Sequence, residues 1–279
     1  MSVIRVRKNL GQNVLVDNAV RDRIIAAALV SPTDIVIEIG PGKGALTSAL
    51  AQKALFLVAV EIDARFCQYL QQRLHDVQNV EVRNADFLRL NLGEEVSGLR
   101  ERFPEAEGVK IVSNLPFYIT TPIVTRIIEN RSLIDGCVLT VQKEVAERFA
   151  AEPGSKRYGA ITLFLNYYAE VEMLFPVSKE AFRPKPEVDG AVISITPRAR
   201  PAVRVKDEKL FFRTIRAAFG QRRKMLKNSL LSLGFPQPEI DRALEESGLD
   251  PKLRPERVSI EDFARLADSL SEAAEENIA

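Results

Sequence analysis

A short run, Ile35–Ile39, opens into Gly40-Pro41-Gly42-Lys43-Gly44-Ala45-Leu46-Thr47, a string that constrains the fold of this chain more than any other single segment although alone it is only moderately specific. Glycines at a strand-to-helix turn let the backbone bend tightly and approach a ligand with no side chain in the way. The surrounding pattern agrees with such a turn. Strand-like runs recur at Phe56–Glu61, Val80–Arg83, Lys110–Ser113, Gly136–Val141 and Val188–Thr196. Helical stretches separate most of them, among them Asp17–Val30, with Asp17 placed as an N-cap, and Asp63–Leu74. Alternation of this kind predicts a doubly wound α/β fold, a parallel sheet with helices on both faces.

Pro197, Arg198, Arg200 and Pro201 interrupt the alternation. Beyond them the chain reads as helices only, at Glu208–Phe219, Lys224–Leu233, Pro238–Ser247 and Ile260–Ala273. The expected organisation is therefore an α/β domain over residues 1–200 and a small all-α domain over 201–279.

In an open parallel sheet the carboxyl ends of the strands line the ligand crevice. Four predicted strand ends carry polar or glycine-rich signals. The first is the glycine turn. The second is Glu61, about 20 residues on, where an acid can hold ribose hydroxyls; NAD and S-adenosylmethionine each carry such a ribose. The third is Asn84-Ala85-Asp86-Phe87, where the carboxylate can accept from an adenine amino group beside an apolar wall. The fourth, Asn114-Leu115-Pro116-Phe117, separates the two cofactors. An adenine amine is a poor nucleophile because its lone pair is delocalised into the ring. The Asn114 side-chain carbonyl and the Leu115 backbone carbonyl are suited to accept both amine hydrogens and to favour a pyramidal nitrogen. Pro116 stiffens the turn, and Phe117 offers a ring for a splayed-out base. An ordinary turn with a core aromatic is the plainer reading of the tetrapeptide alone; its position after the fourth strand favours the catalytic one.

Together these segments resemble the ribosomal RNA adenine dimethyltransferases, a family that dimethylates two adjacent adenines near the 3′ end of small-subunit rRNA. The resemblance begins at Leu10–Leu15, runs through the glycine turn, Asn84–Phe87 and Asn114–Phe117, and includes Gln142–Val145. It continues through Ala181–Asp189 and ends in Phe219–Lys224 followed by Asn228–Leu230. It implies a Rossmann-like methyltransferase sheet that uses S-adenosylmethionine and no metal. Asn13 and Leu15 would close over the cofactor; Gly40 and Gly42, Glu61 and Asp86 would hold its methionine, ribose and adenine portions. Asn114 would touch both cofactor and target, Phe117 would stack on the base, and Phe182 would add a second aromatic. The chain departs from the family where Val14 stands for a frequent Phe and Phe117 for a frequent Tyr. Stacking, rather than a phenol hydroxyl, is thus the need at position 117.

Net charge is only +1, yet it is unevenly spread. No acid occurs from Lys209 to Pro238, where Lys209, Arg213, Arg216, Arg222, Arg223, Lys224 and Lys227 lie, nor in the first sixteen residues. A solvated helix face would account for a charge run alone. Beside a nucleotide-directed site, an RNA-phosphate surface formed by Arg222, Arg223, Lys224 and Lys227 is the expectation. Two cysteines and one histidine are too few for a disulfide framework or a metal cluster, leave histidine-dependent triads and zinc sites few candidate ligands, and favour a reducing, cytoplasmic setting. The expected partner is small-subunit rRNA within a pre-ribosomal particle, bound by a monomer with no membrane role. Alternatives remain open at this stage. They are a large-subunit rRNA adenine dimethyltransferase conferring antibiotic resistance, a DNA adenine methyltransferase, an RNA-binding ribosome-assembly factor without essential catalysis, and, furthest off, an NAD dehydrogenase.

Overall fold

A computed structural model describes residues 13–221 and 224–276. Two compact units are present: the chain through Ala146 together with Glu170–Pro197, and Glu147–Ala169 together with the chain from Arg198 onward. The segment Glu147–Ala169 thus packs with the helical unit, although it precedes residue 200. Its sequence neighbours are strands, so a single boundary along the chain does not describe the division.

The first unit is the α/β layer structure. In chain order it contains β1 (Val14–Leu15), α1 (Asn18–Ala27), β2 (Asp34–Ile39), α2 (Thr47–Ala51), β3 (Phe56–Glu61), α3 (Ala64–Arg73) and β4 (Val80–Asn84). It continues with α4 (Leu92–Arg102), β5 (Gly108–Asn114), α5 (Thr120–Glu129) and β6 (Gly136–Gln142). The chain leaves this unit within α6 (Lys143–Phe149) and forms α7 (Ala160–Tyr168). It returns through β7 (Ala169–Val177), β8 (Phe182–Arg183) and β9 (Gly190–Pro197). Asp17 and Asp63 cap α1 and α3 by accepting the N–H groups of Val20 and Arg65, both at 3.1 Å.

Seven strands form one sheet in the order β4-β3-β2-β5-β6-β9-β7. All six residues of β2 and of β3 are buried, which is why these runs are mostly apolar rather than alternating, with Asp34, Glu38 and Glu61 as buried acids. The pairs β2–β3, β3–β4, β2–β5 and β5–β6 are parallel. Strand β9 is not: it runs antiparallel to β6, with Gln142 opposite Gly190 and Cys137 opposite Ile195. It begins where β6 ends, so the expectation of a wholly parallel sheet is corrected at this edge. Val36, Leu57, Val112, Val138 and Val192 of the sheet join Ile24 and Ile25 of α1 and Leu46 and Leu50 around α2 in one core cluster. Chain order reverses at β2, whose neighbours β3 and β5 lie on opposite sides, so β2 ends at a topological switch point.

The two-residue strands β1 and β8 pair antiparallel, Val14 opposite Arg183 and Leu15 opposite Phe182. A hydrogen bond continues the pairing, from Val16 N–H to the Ala181 carbonyl at 2.8 Å.

The second unit adds α8 (Glu208–Gly220), α9 (Leu226–Leu230), α10 (Gln237–Glu246) and α11 (Ile260–Glu276). Leu210, Phe211, Thr214, Ile215 and Ala218 bury one face of α8, leaving Lys209, Arg213 and Arg216 exposed. Tyr167 and Tyr168 of α7 both donate to the Glu208 carboxylate, and their rings pack against Phe211 and Phe212. These contacts give residues 160–168 their place in the helical unit.

Candidate active site

The ends of β2, β3, β4 and β5 converge on one cavity enclosing about 920 Å³, its open mouth included. Gly40 and Gly42 carry the chain around the β2 turn with φ of 65° and 56°, values that side chains with a Cβ rarely adopt. Next to Gly42 no atom lies within 4 Å of where a Cβ would stand. The glycine there meets a backbone requirement and leaves the space above it to a ligand.

Glu61, 3% exposed, is held by two backbone donors. Gly42 N–H reaches Oε2 at 3.0 Å and Asp63 N–H reaches Oε1 at 2.8 Å. Burial raises its carboxyl above the ordinary carboxylate range, the two N–H groups working against that rise. Asp86 uses Oδ1 to accept from Leu88 N–H at 3.0 Å, and Phe87 lies buried beside it against the cavity.

Sequence reasoning passed over Glu38. It lies two residues before Gly40, 2% exposed, and it also lines the cavity. Its Oε2 has no hydrogen-bond partner. Burial, with the Glu61 charge adding, pushes its pKa up to about 8. The signal was present as the one acid within the apolar string Ile35–Ile39. Among the described residues the cavity is lined by three carboxyl groups, Glu38, Glu61 and Asp86, and by no Lys or Arg. This suits a ligand that carries positive charge and opposes a diphosphate such as that of NAD.

Asn114 closes β5. Its Nδ2 donates to the Asn13 carbonyl at 3.0 Å, which fixes the amide's orientation, because the reverse would set oxygen against oxygen. Its Oδ1 is buried with no partner. Leaving a buried acceptor unfilled costs about 1–3 kcal/mol, so the atom marks where a donor on a ligand belongs. Asn13, Leu15, Leu115 and Pro116 line the same cavity, Asn13 and Leu15 being carried there beside β8.

Phe117 is half-buried, with its ring edge-on to Phe182, centroids 6.2 Å apart at 71°. Phe182 itself is 0% exposed. It offers no free face to a base and instead supports Phe117 from behind. Asp189 accepts the Lys179 N–H at 2.9 Å and so braces the loop between β7 and β9. The described residues contain no group of three or more potential metal ligands, and no helix among them is long and apolar enough to cross a membrane.

Comparison with known proteins gives this geometry its context. The profile of the ribosomal RNA adenine dimethylase family matches residues 3–272. The chain belongs to that family. A Bacillus mycoides (strain KBAB4) relative named ribosomal RNA small subunit methyltransferase A is 45% identical over 268 residues, covering 95% of this chain and 91% of the relative. A Bacillus cereus (strain AH187) protein of the same name matches to the same extent. Among solved structures, the 23S rRNA methyltransferase ErmE is 28% identical with a TM-score of 0.72, covering 93% of this chain and 100% of that one. A Plasmodium falciparum dimethyladenosine transferase is 25% identical with a TM-score of 0.75, covering 91% and 95%.

As a ribosomal RNA adenine dimethylase, the chain is an rRNA adenine methyltransferase, an enzyme with a Rossmann-like sheet. Of the cations expected to meet RNA, Lys224 is exposed. Lys227 is committed differently, its ammonium paired with Asp241 of α10 at 2.6 Å. Arg222 and Arg223 lie outside the described residues.

Proposed function

We propose that this enzyme transfers methyl groups from S-adenosylmethionine to the 6-amino groups of two adjacent adenines in the 3′-terminal hairpin of small-subunit ribosomal RNA. It acts as a monomer, in the cytoplasm, on a pre-ribosomal small subunit during ribosome biogenesis. The observation that carries the reading is the buried, unfilled Asn114 Oδ1 at the end of an acid-lined cavity. The small-subunit choice is supported by relatives of that name at 45% identity, against 28% for the large-subunit enzyme ErmE.

When bound, S-adenosylmethionine supplies a methyl group already activated by its sulfonium. The protein's part is alignment and exclusion of water. Gly40 and Gly42 leave room for the methionine portion, Glu61 accepts from the ribose hydroxyls, and Asp86 accepts from the cofactor's adenine amine. Asn13 and Leu15 cover the site from the β1 side. Asn114 Oδ1 and the Leu115 carbonyl accept the two hydrogens of the target amine and turn its lone pair toward the methyl group. Phe117, backed by Phe182, stacks on the target base. A strong general base is unnecessary, because the nitrogen becomes acidic once it carries positive charge. Lys224, Arg222 and Arg223 contact RNA phosphates, which position the substrate without specifying it.

Labelled methyl transfer to unmethylated small subunits tests the reading, with nuclease mapping and an Asn114→Ala control. Label in dimethyladenine of the small-subunit RNA, lost in the variant, is the expected result. Label confined to large-subunit RNA would move the enzyme to the antibiotic-resistance branch. No label despite cofactor binding would overturn the substrate assignment.

A further inference from the structure

Two large apolar side chains stand out at the cavity because they are exposed. Ile62 is 53% exposed and Tyr118 is 54% exposed, and both line it. An exposed aliphatic and an exposed aromatic side chain in one cavity leave apolar surface in water that a flat ligand would cover. They arrive from different strands: Ile62 follows β3 and Tyr118 follows β5, the two neighbours of β2 on its opposite sides. Asp86, after β4, supplies a hydrogen-bond acceptor in the same cavity. An apolar pair with a carboxylate beside it matches a purine ring bearing an exocyclic amine.

Tyr118 has a second relationship. It and Phe117 are adjacent in one short helical turn, Phe117–Ile119. Their side chains take different environments: Tyr118 lines the cofactor cavity, whereas the Phe117 ring packs edge-on against Phe182. The Tyr118 hydroxyl is also within electrostatic reach of Asp86 and Glu61. Burial first, and then those two charges, raise its pKa, so it remains a neutral phenol. Nothing in Asn114–Phe117 requires an aromatic at 118, and sequence reasoning gave it no role.

We infer that Tyr118 is a positioning residue that closes with Ile62 on the purine of the cofactor and, through the turn it shares with Phe117, couples cofactor occupancy to capture of the target adenine. The inference rests on the proposed methyl-transfer reading and adds a binding order to it. A ligand that holds Tyr118 restrains the backbone of Phe117, so less ordering is left for the target base to achieve. Cofactor and RNA then bind with positive cooperativity, and the coupling is reciprocal.

The test uses the full chain, S-adenosylhomocysteine as an unreactive probe, and an RNA hairpin with the two adjacent adenines. Tyr118→Ala and Tyr118→Phe are compared with wild type by calorimetry, and RNA affinity is measured with and without the probe. The chain has no tryptophan and five tyrosines, so tyrosine emission gives an independent binding signal that loses one contributor in either variant. Tyr118→Ala is expected to weaken the probe about tenfold and to remove most of the probe's enhancement of RNA binding, leaving RNA affinity without probe within twofold of wild type. Tyr118→Phe is expected to restore both within about threefold, since the ring is what closes on the base. Probe affinity unchanged in Tyr118→Ala would overturn the inference. So would equal losses in Phe and Ala, which would assign the hydroxyl rather than the ring. Absence of any probe binding by wild type would instead defeat the parent reading, and the two failures are thereby distinguished.

Discussion

The side-chain amide of Asn114 donates to the main-chain carbonyl of Asn13 across 3.0 Å, so a residue at the end of β5 is oriented by the segment entering β1. The bond leaves Oδ1 as the unfilled acceptor. Replacing Asn114 with Asp puts a second oxygen against the Asn13 carbonyl and removes the donor that held the side chain in place. The expected loss in single-turnover methyl transfer is on the order of 10²–10³, the scale of removing one aligned hydrogen-bonding group from a reacting centre. Asn114→Ala is expected to lose at least as much. Affinity for S-adenosylhomocysteine should change far less than the rate; an equal loss in both would reduce Asn114 to a cofactor ligand.

Glu61 makes a comparable prediction about the cofactor. Its two oxygens each accept one backbone N–H, from Gly42 and Asp63. An amide at this position satisfies one of those donors and sets its own N–H group against the other. Glu61→Gln should therefore lose about 1 kcal/mol of stability and weaken S-adenosylhomocysteine by about tenfold or more, with RNA affinity in the absence of probe unchanged. Calorimetry and thermal melting measure the two effects separately.

The strand-end arithmetic that singled out Gly40, Glu61, Asp86 and Asn114 was legible because each signal is local: a turn, an acid at a fixed offset, a polar residue ending an apolar run. Other features depend on partners distant in sequence. Strand β7 was not foreseen, because Glu170 and Glu172 break its apolar pattern and its outer residues face water at a sheet edge. The β1–β8 pair joins Leu15 to Phe182 across most of the α/β unit, and no periodicity in two residues announces it. Phe182 looked like a stacking ring; only its complete burial shows that it serves as a wall. Tyr118 and Glu38 are single residues whose surroundings, not their spacing, give them meaning.

Phe117 and Phe182 should consequently separate in experiment. Phe182→Ala empties a fully buried site and is expected to cost about 3–5 kcal/mol, seen as a lowered melting temperature. Phe117→Ala removes a half-buried ring whose proposed partner is the target base. Its melting temperature should change little while KM for RNA rises several-fold. A reversed pattern would exchange the two roles.

Burial of Glu38 links stability to pH. Its folded pKa of about 8 exceeds the ordinary 4.5, so between those values the folded protein binds more protons than the unfolded chain. Stability then falls as pH rises from about 4.5 to about 8 and levels off above. Glu61 is raised as well and acts in the same direction. Glu38→Gln removes the larger share, so the variant should gain on wild type as pH increases, by an amount on the order of a few kcal/mol at pH 8. Melting curves of both proteins across pH 5–9 measure the difference. A constant offset between them would show that Glu38 does not change its protonation in this range.

The basic run is tested by salt. Each phosphate contact that a protein makes steepens the fall of log K with log salt by about 0.7–0.9. Lys227 is already engaged with Asp241, so among the four expected contacts it should contribute least, and Lys227→Ala should act mainly on the packing of α9 against α10. Arg222, Arg223 and Lys224 carry the testable charge. Replacing all three with Ala is expected to weaken binding to small subunits and to lower the magnitude of the salt slope by about 2, with S-adenosylhomocysteine affinity unchanged. Loss of RNA affinity at an unaltered slope would mean that the cluster acts through the fold of the helical unit. A parallel loss of cofactor affinity would show that its influence reaches the catalytic unit as well.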